Sequence, residues 1–109
     1  GDDTVYGGSN DDIIIGGTGD DLLDGGSGDD TFVFAAGSGA DTIADFNTNK
    51  DTLDLANTTT DFTDIASVQA AATETVVSGT SGVLIDLGGD SVFLEGLSLD
   101  DIADADYIF

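Results

Sequence analysis

Six aspartates, Asp3, Asp12, Asp21, Asp30, Asp41 and Asp51, recur through the first half of the chain at steps of nine, nine, nine, eleven and ten residues. The residues before them are mostly glycine. Gly1 precedes Asp3; Gly7, Gly8 and Asn10 precede Asp12; Gly16, Gly17 and Gly19 precede Asp21. Gly25, Gly26 and Gly28 precede Asp30, and Gly37 and Gly39 precede Asp41. An aspartate at the end of a tight loop supplies a hard anionic oxygen on a short side chain. Glycine tolerates positive φ and close backbone approach, and Asn10 stands in as the next most tolerant residue, so main-chain carbonyls can turn into the loop. Carboxylate and carbonyl oxygens together are the ligands of a hard cation such as Ca²⁺. The last turn, Phe46 to Asp51, keeps only Asn49 and Asp51, and Lys50 interrupts the glycine-rich pattern there.

Composition points the same way. The chain has 109 residues, 23 acids against one base, and a formal net charge of −22. Twenty-one of the acids are Asp, a poor helix former that favours turns. Hydrophobic residues make up 39% of the chain, too many for a solvated acidic tail, so part of it packs. Acids crowded at fixed spacing oppose compaction unless a counter-cation joins them. With no His and no Cys, histidine acid–base chemistry, cysteine nucleophiles and ordinary zinc sites are excluded. The negative charge disfavours nucleic acid, and no apolar run reaches membrane-spanning length. No signal peptide opens the sequence, and the chain starts inside a motif, as a fragment of a longer protein would.

These loops need elements to hold them. Aligned on glycines, Gly7 to Ile15, Gly16 to Asp24 and Gly25 to Val33 are successive nonapeptides, and Gly1 to Tyr6 is the end of another. Positions seven to nine read as a short strand with its eighth residue inward: Val5, Ile14, Leu23 and Phe32. One such unit buries too little to stand alone, so stacking is obligatory. The turn ending at Asp41 comes eleven residues after its predecessor, which predicts an extended or bulged strand around Thr31 to Phe34.

The pattern G-G-x-G-x-D-x-U-x resembles the RTX family of calcium-binding repeats. The resemblance implies an all-β fold, a parallel β-roll of two facing sheets over residues 1–55. Strands alternate between the sheets, so turns two repeats apart stack on one edge and share an ion. By that resemblance Asp3, Asp21 and Asp41 line one edge and Asp12, Asp30 and Asp51 the other. Carbonyls at positions one, two and four complete each site, for about four or more ions. Asp21, in a middle turn, would serve two ions, whereas its neighbour Asp20 at position five would point to solvent. Asp45 to Leu55 is similar to the segment that closes the roll in related proteins.

From residue 56 the repeat stops, and residues 56–109 read as a C-terminal cap with a short helix and a hairpin. Residues 60–72 show helical spacing of Phe62, Ile65 and Val68. Thr75 to Val77 and Val83 to Leu87 read as strands, and Gly88-Gly89-Asp90 as the turn into Ser91 to Glu95. Ser98 and Asp101 form a capping box, flanked by Leu97 and Ile102. Asp106 to Phe109 is a final apolar strand. Outward-facing Ile13, Ile15 and Val33 share one sheet and are expected to be covered, by the helix near Phe62 and Ile65 or by a preceding domain.

The acidic-then-apolar ending resembles the C-terminus of RTX proteins exported by type I secretion. That implies a secreted bacterial protein whose partners are calcium, transiently the secretion machinery, and an upstream domain. The apo chain would stay threadable and fold outside the cell on Ca²⁺. The alternative is a carbohydrate-binding accessory module of a secreted polysaccharide-modifying enzyme or adhesin, against which stand the absence of Trp and the like charge of anionic polymers. A catalytic role would need paired acids in a cleft, and none is expected.

Overall fold

The computed structural model describes residues 3–48, 50–58, 65–77, 79–103 and 105–108. The segments after the aspartates are short strands: β1 (Thr4–Tyr6), β2 (Ile13–Ile15), β3 (Leu22–Asp24), β4 (Thr31–Ala35), β5 (Ala40–Ile43) and β6 (Thr52–Asn57). Each glycine turn swings the chain to the other side, so strands pair with those two repeats away. β1, β3 and β5 are parallel neighbours in one sheet, and β2, β4 and β6 in the other. The register is strict: Val5 lies beside Leu23, and Ile14 beside Phe32 and then Leu53. Side chains alternate along a strand, so the central residue of each triplet faces the opposite sheet. Ile14, Leu23, Phe32, Ile43 and Leu53 are accordingly buried, and Val5 on the edge strand is half-buried. The parallel β-roll is the fold. The lengthened repeat resolves as expected, with a register shift between Val33 and Ala35 and with Phe34 turned into the core.

The second half continues both sheets. It contributes α1 (Ile65–Ala70), β7 (Ala72–Val77), β8 (Thr80–Asp86), β9 (Ser91–Glu95), α2 (Leu99–Ile102) and β10 (Asp106–Ile108). β9 runs parallel beside β5 and begins an antiparallel β9-β8-β7 meander, giving the order β1-β3-β5-β9-β8-β7. β10 lies parallel to β6, giving β10-β6-β4-β2. The last rung is thus paired as well as covered. The expected hairpin at Gly88 to Asp90 is present, closed by the Leu87 N–H donating to the Asp90 carbonyl at 2.8 Å.

The helix is where the expectation moves. Residues 59–64, with Phe62, lie outside the described residues, and α1 stops at Ala70. Ala72 already belongs to β7, because Thr73, Thr75, Val76 and Val77 are β-branched and find partners along β8. The capping box of α2 forms: Ser98 Oγ accepts from the Asp101 N–H at 3.3 Å, and the Ser98 N–H donates to Asp101 Oδ2 at 2.8 Å. Ile102 is buried beneath it. The Tyr107 hydroxyl donates to the Ile102 carbonyl at 2.7 Å, tying β10 to α2, and burial pushes its pKa up to about 12.

Ile13 and Ile15 on the edge strand are 74% and 64% exposed, while Val33 is half-buried. No described residue covers the two isoleucines, and the side chains of Phe62 and Ile65 lie outside the description. Among the described residues no helix is long and apolar enough to cross a membrane.

These burials predict a contrast. Leu94, wholly buried where β9 joins the roll to the hairpin, should cost about 2–5 kcal/mol as Leu94→Ala. Ile13→Ala should stay within about 0.5 kcal/mol. Denaturant unfolding in calcium measures both, and equal losses would contradict the packing described.

Candidate metal centre

Each position-six aspartate below the last turn of its edge, Asp3, Asp12, Asp21 and Asp30, is built into a ladder. Its main-chain carbonyl accepts the N–H of position seven two repeats on, as in Leu22 to Asp3, Thr31 to Asp12, Thr42 to Asp21 and Thr52 to Asp30, each at 2.8 Å. Its N–H donates to Oδ1 of the next aspartate on the same edge. Asp3 donates to Asp21 at 2.7 Å and Asp21 to Asp41 at 2.9 Å. On the other edge Asp12 donates to Asp30 at 2.9 Å and Asp30 to Asp51 at 3.0 Å. The sequence separations are 18, 20, 18 and 21 residues, so the lengthened repeats are absorbed without breaking the ladder. Asp21, Asp30, Asp41 and Asp51 are buried.

The second carboxylate oxygen is different. Oδ2 of Asp12, Asp21 and Asp30 is buried with no hydrogen-bond donor. It sits over the first glycine of its own turn: a Cβ at Gly16 would lie 2.6 Å from Asp21 Oδ2, and one at Gly7 2.8 Å from Asp12 Oδ2. Some glycines at positions two and four are crowded from below instead, whereas Gly17 and Gly37 at position two face open space. Cβ atoms at Gly26, Gly28 and Gly39 would collide with the carbonyl oxygens of Gly8, Asn10 and Gly19 respectively. Gly26, Gly28, Gly39 and Asn10 all stand at positive φ, as the sequence required. Each space between stacked turns is therefore lined by carbonyl and carboxylate oxygens, with room kept by missing side chains. Among the described residues no three carboxylates converge, so a cation here would draw on main-chain carbonyls.

The two edges hold the expected residues. Asp3, Asp21 and Asp41, with Gly16, Gly17, Gly19, Gly37 and Gly39, stack on one; Asp12, Asp30 and Asp51, with Gly7, Gly8, Asn10, Gly25, Gly26 and Gly28, stack on the other. Gly1 and Asn49 lie outside the described residues. Two further carboxylates, Asp45 and Asp51, take backbone amides on their side chains. Asp45 accepts the Gly25 and Gly26 N–H groups at 2.9 and 2.8 Å, one on each oxygen, beside Asp24. Asp51 Oδ2 accepts the Asn47 N–H at 2.8 Å, so its turn supplies part of its own charge compensation.

Position five also does more than face water. Asp20 is exposed, yet its Oδ1 accepts the Ala40 N–H at 2.9 Å, and Asp11 Oδ1 likewise accepts the Asp29 N–H at 2.8 Å. These carboxylates brace the turn two repeats ahead. The recurrence of Asp at position five, in Asp2, Asp11, Asp20 and Asp29, was the signal for it. Asp90, in the β8–β9 turn, joins the last turn of the Asp41 edge, and no motif announced it.

Burial raises the carboxyl pKa of Asp41 to about 7, aided by the nearby Asp21 and Asp20 charges. Burial also raises Asp30, with Asp51, Asp12 and Asp11 adding repulsion, and raises Asp45, with Asp24 beside it. The metal-free fold therefore binds protons at Asp41 between pH about 4 and 7 that the unfolded chain does not bind, so it gains stability as pH falls through that window. Metal-free chain should accordingly become more ordered by circular dichroism between pH 7.5 and 5, while the calcium needed for folding rises as protons compete. An apo spectrum independent of pH would contradict this.

Residues 1–32 match the model of the RTX calcium-binding nonapeptide repeat in four copies. Among curated proteins none matches the sequence. Of solved structures, the extracellular lipase LipA from Serratia marcescens is similar over 99% of this chain, with 25% identity and a TM-score of 0.73. The chain spans only 19% of that lipase. The AlgE6R3 subunit of the Azotobacter vinelandii mannuronan C5-epimerase aligns over 99% of this chain and 78% of its own length, with 23% identity and a TM-score of 0.39. The first third of this chain, residues 1–32, is a run of RTX calcium-binding nonapeptide repeats.

Proposed function

We propose that the chain is a non-catalytic calcium-binding module whose roll folds when Ca²⁺ fills the spaces between stacked turns. One observation carries the reading: the dehydrated, donor-less Oδ2 atoms of Asp12, Asp21 and Asp30. A buried carboxylate oxygen without a donor is costly, and a like-charged neighbour 18 to 21 residues away makes it costlier. A divalent cation removes both penalties at once. Ions would lie between Asp3 and Asp21 and between Asp21 and Asp41 on one edge. On the other they would lie between Asp12 and Asp30 and, more weakly, between Asp30 and Asp51. That makes about four, each completed by carbonyls at positions one, two and four. At a hundredfold excess over its dissociation constant, each stabilises the fold by about 2.7 kcal/mol.

In this reading residues 1–55 are the ion-binding roll and residues 56–109 its cap. The module would serve a larger secreted bacterial protein, remaining unfolded during type I export and ordering outside the cell. The extracellular lipase whose structure it resembles supports that setting.

Chelation should abolish the strand signal in circular dichroism, millimolar Ca²⁺ should restore it, and Mg²⁺ should substitute poorly because it keeps its waters. A strand spectrum unchanged by chelator would sink the reading. Single aspartates grade the sites. Asp21→Asn, between two ions, should raise the calcium midpoint most, and Asp3→Asn less. Asp20→Asn, which keeps an oxygen for the Ala40 amide, should change it least. Equal effects at Asp20 and Asp21 would mean calcium is held elsewhere.

A further inference from the structure

The last turn of the Asp41 edge has no repeat stacked above it, because β9 reaches β5 from the hairpin. Its backbone is nonetheless held at two left-handed glycines, Gly37 at φ 87° and Gly39 at φ 85°. Both N–H groups donate to one side chain: Gly37 to Asp90 Oδ2 at 2.9 Å and Gly39 to Asp90 Oδ1 at 3.0 Å. The next residue completes the clasp, since the Ser91 N–H donates to the Gly39 carbonyl at 3.0 Å. The opposite edge ends differently. There the Asp51 N–H donates to the Asn47 carbonyl at 2.7 Å, and the Asn47 N–H returns to Asp51 Oδ2, so the turn closes on its own residues.

We propose that Asp90 is a positioning residue for the ion between the Asp21 and Asp41 turns, linking calcium affinity on that edge to folding of the β8–β9 hairpin. The inference rests on the calcium reading above. Glycine loses more conformational freedom on ordering than any other residue, so a turn with two left-handed glycines is expensive to assemble around an ion. A carboxylate accepting two amides makes charge-assisted bonds and offsets part of the cost of ordering that turn around the ion, which raises affinity. Asp90 touches no expected ligand oxygen. It acts through the Gly37 and Gly39 backbone.

The test uses the whole chain, with calcium titrations followed by circular dichroism. Asp90→Ala should raise the midpoint about fivefold or more, from the loss of two charge-assisted hydrogen bonds. Asp90→Asn, which keeps one acceptor but turns a donor toward the other amide, should fall between and serves if the alanine variant does not fold. Paired variants localise the effect. Asp90→Ala should be non-additive with Asp21→Asn, which damages the same edge, and additive with Asp30→Asn, which damages the other. Amide hydrogen exchange in calcium should lose protection at Gly37 and Gly39 but keep it at Gly25 and Gly26, whose amides donate to Asp45. A merely structural contact would be additive with both aspartates, and that outcome overturns the proposal. If the wild-type chain shows no calcium transition, both readings fall. If it does, and Asp90→Ala follows the same curve, only this one falls.

Discussion

The whole roll depends on how one carboxylate is divided between two environments. In the middle turns, at Asp21 and Asp30, Oδ1 is held by a backbone amide from the turn below, and Oδ2 is pressed against a glycine with no donor. The first half of that arrangement aligns the strands; the second half makes alignment unfavourable unless a positive charge is supplied. Twenty-three acids against one base leave the chain no internal source for it, since Lys50 is exposed beside a single turn. On the calcium reading proposed above, that charge comes from a divalent cation.

The core alone would not overcome this. Each rung contributes only one or two inward side chains, such as Ile14 on β2 or Phe32 and Phe34 on β4, and the chain has no cysteine to form a disulfide. The second half enlarges that core with Val83, Ile85, Val92, Leu94 and Ile102, and it does so by adding strands to both sheets. Cap and roll share hydrogen-bonded sheets, so they are not independent bodies joined by a linker. The expected division after residue 55 falls inside β6, whose outer neighbour is the last strand of the chain.

The roll was legible because its constraints are local and repeated. A nonapeptide with glycine where a side chain would strike a carbonyl, and one inward apolar residue per triplet, leaves few other solutions. The bulge after Val33 follows from spacing, whereas the alternation of strands and the grouping of the six aspartates came with the family resemblance. What escaped reading depends on distant partners. Nothing near Asp90 marks it as the acceptor for Gly37 and Gly39, 53 and 51 residues away. Asp20 looked redundant because its use, the Ala40 amide, lies 20 residues on. The helix was drawn too long because Ala71 and Ala72 suit a helix, while pairing with β8 decided the matter. Cover for Ile13 and Ile15 was inferred from hydrophobicity alone, which cannot say what lies over a face.

The ladder spacing has a kinetic meaning. Successive rungs of either edge join aspartates 18 to 21 residues apart, so the entropy of closing each loop is nearly constant as the roll grows. Such a chain can lengthen rung by rung, each step no harder than the last. The clasp at Asp90 closes a loop more than twice as long, which adds about 0.8 kcal/mol of closure entropy to that one step. It is also the step that ties the meander to the repeats. Non-local closures of this kind slow folding, so joining hairpin to roll, rather than adding turns, should limit how fast the domain assembles.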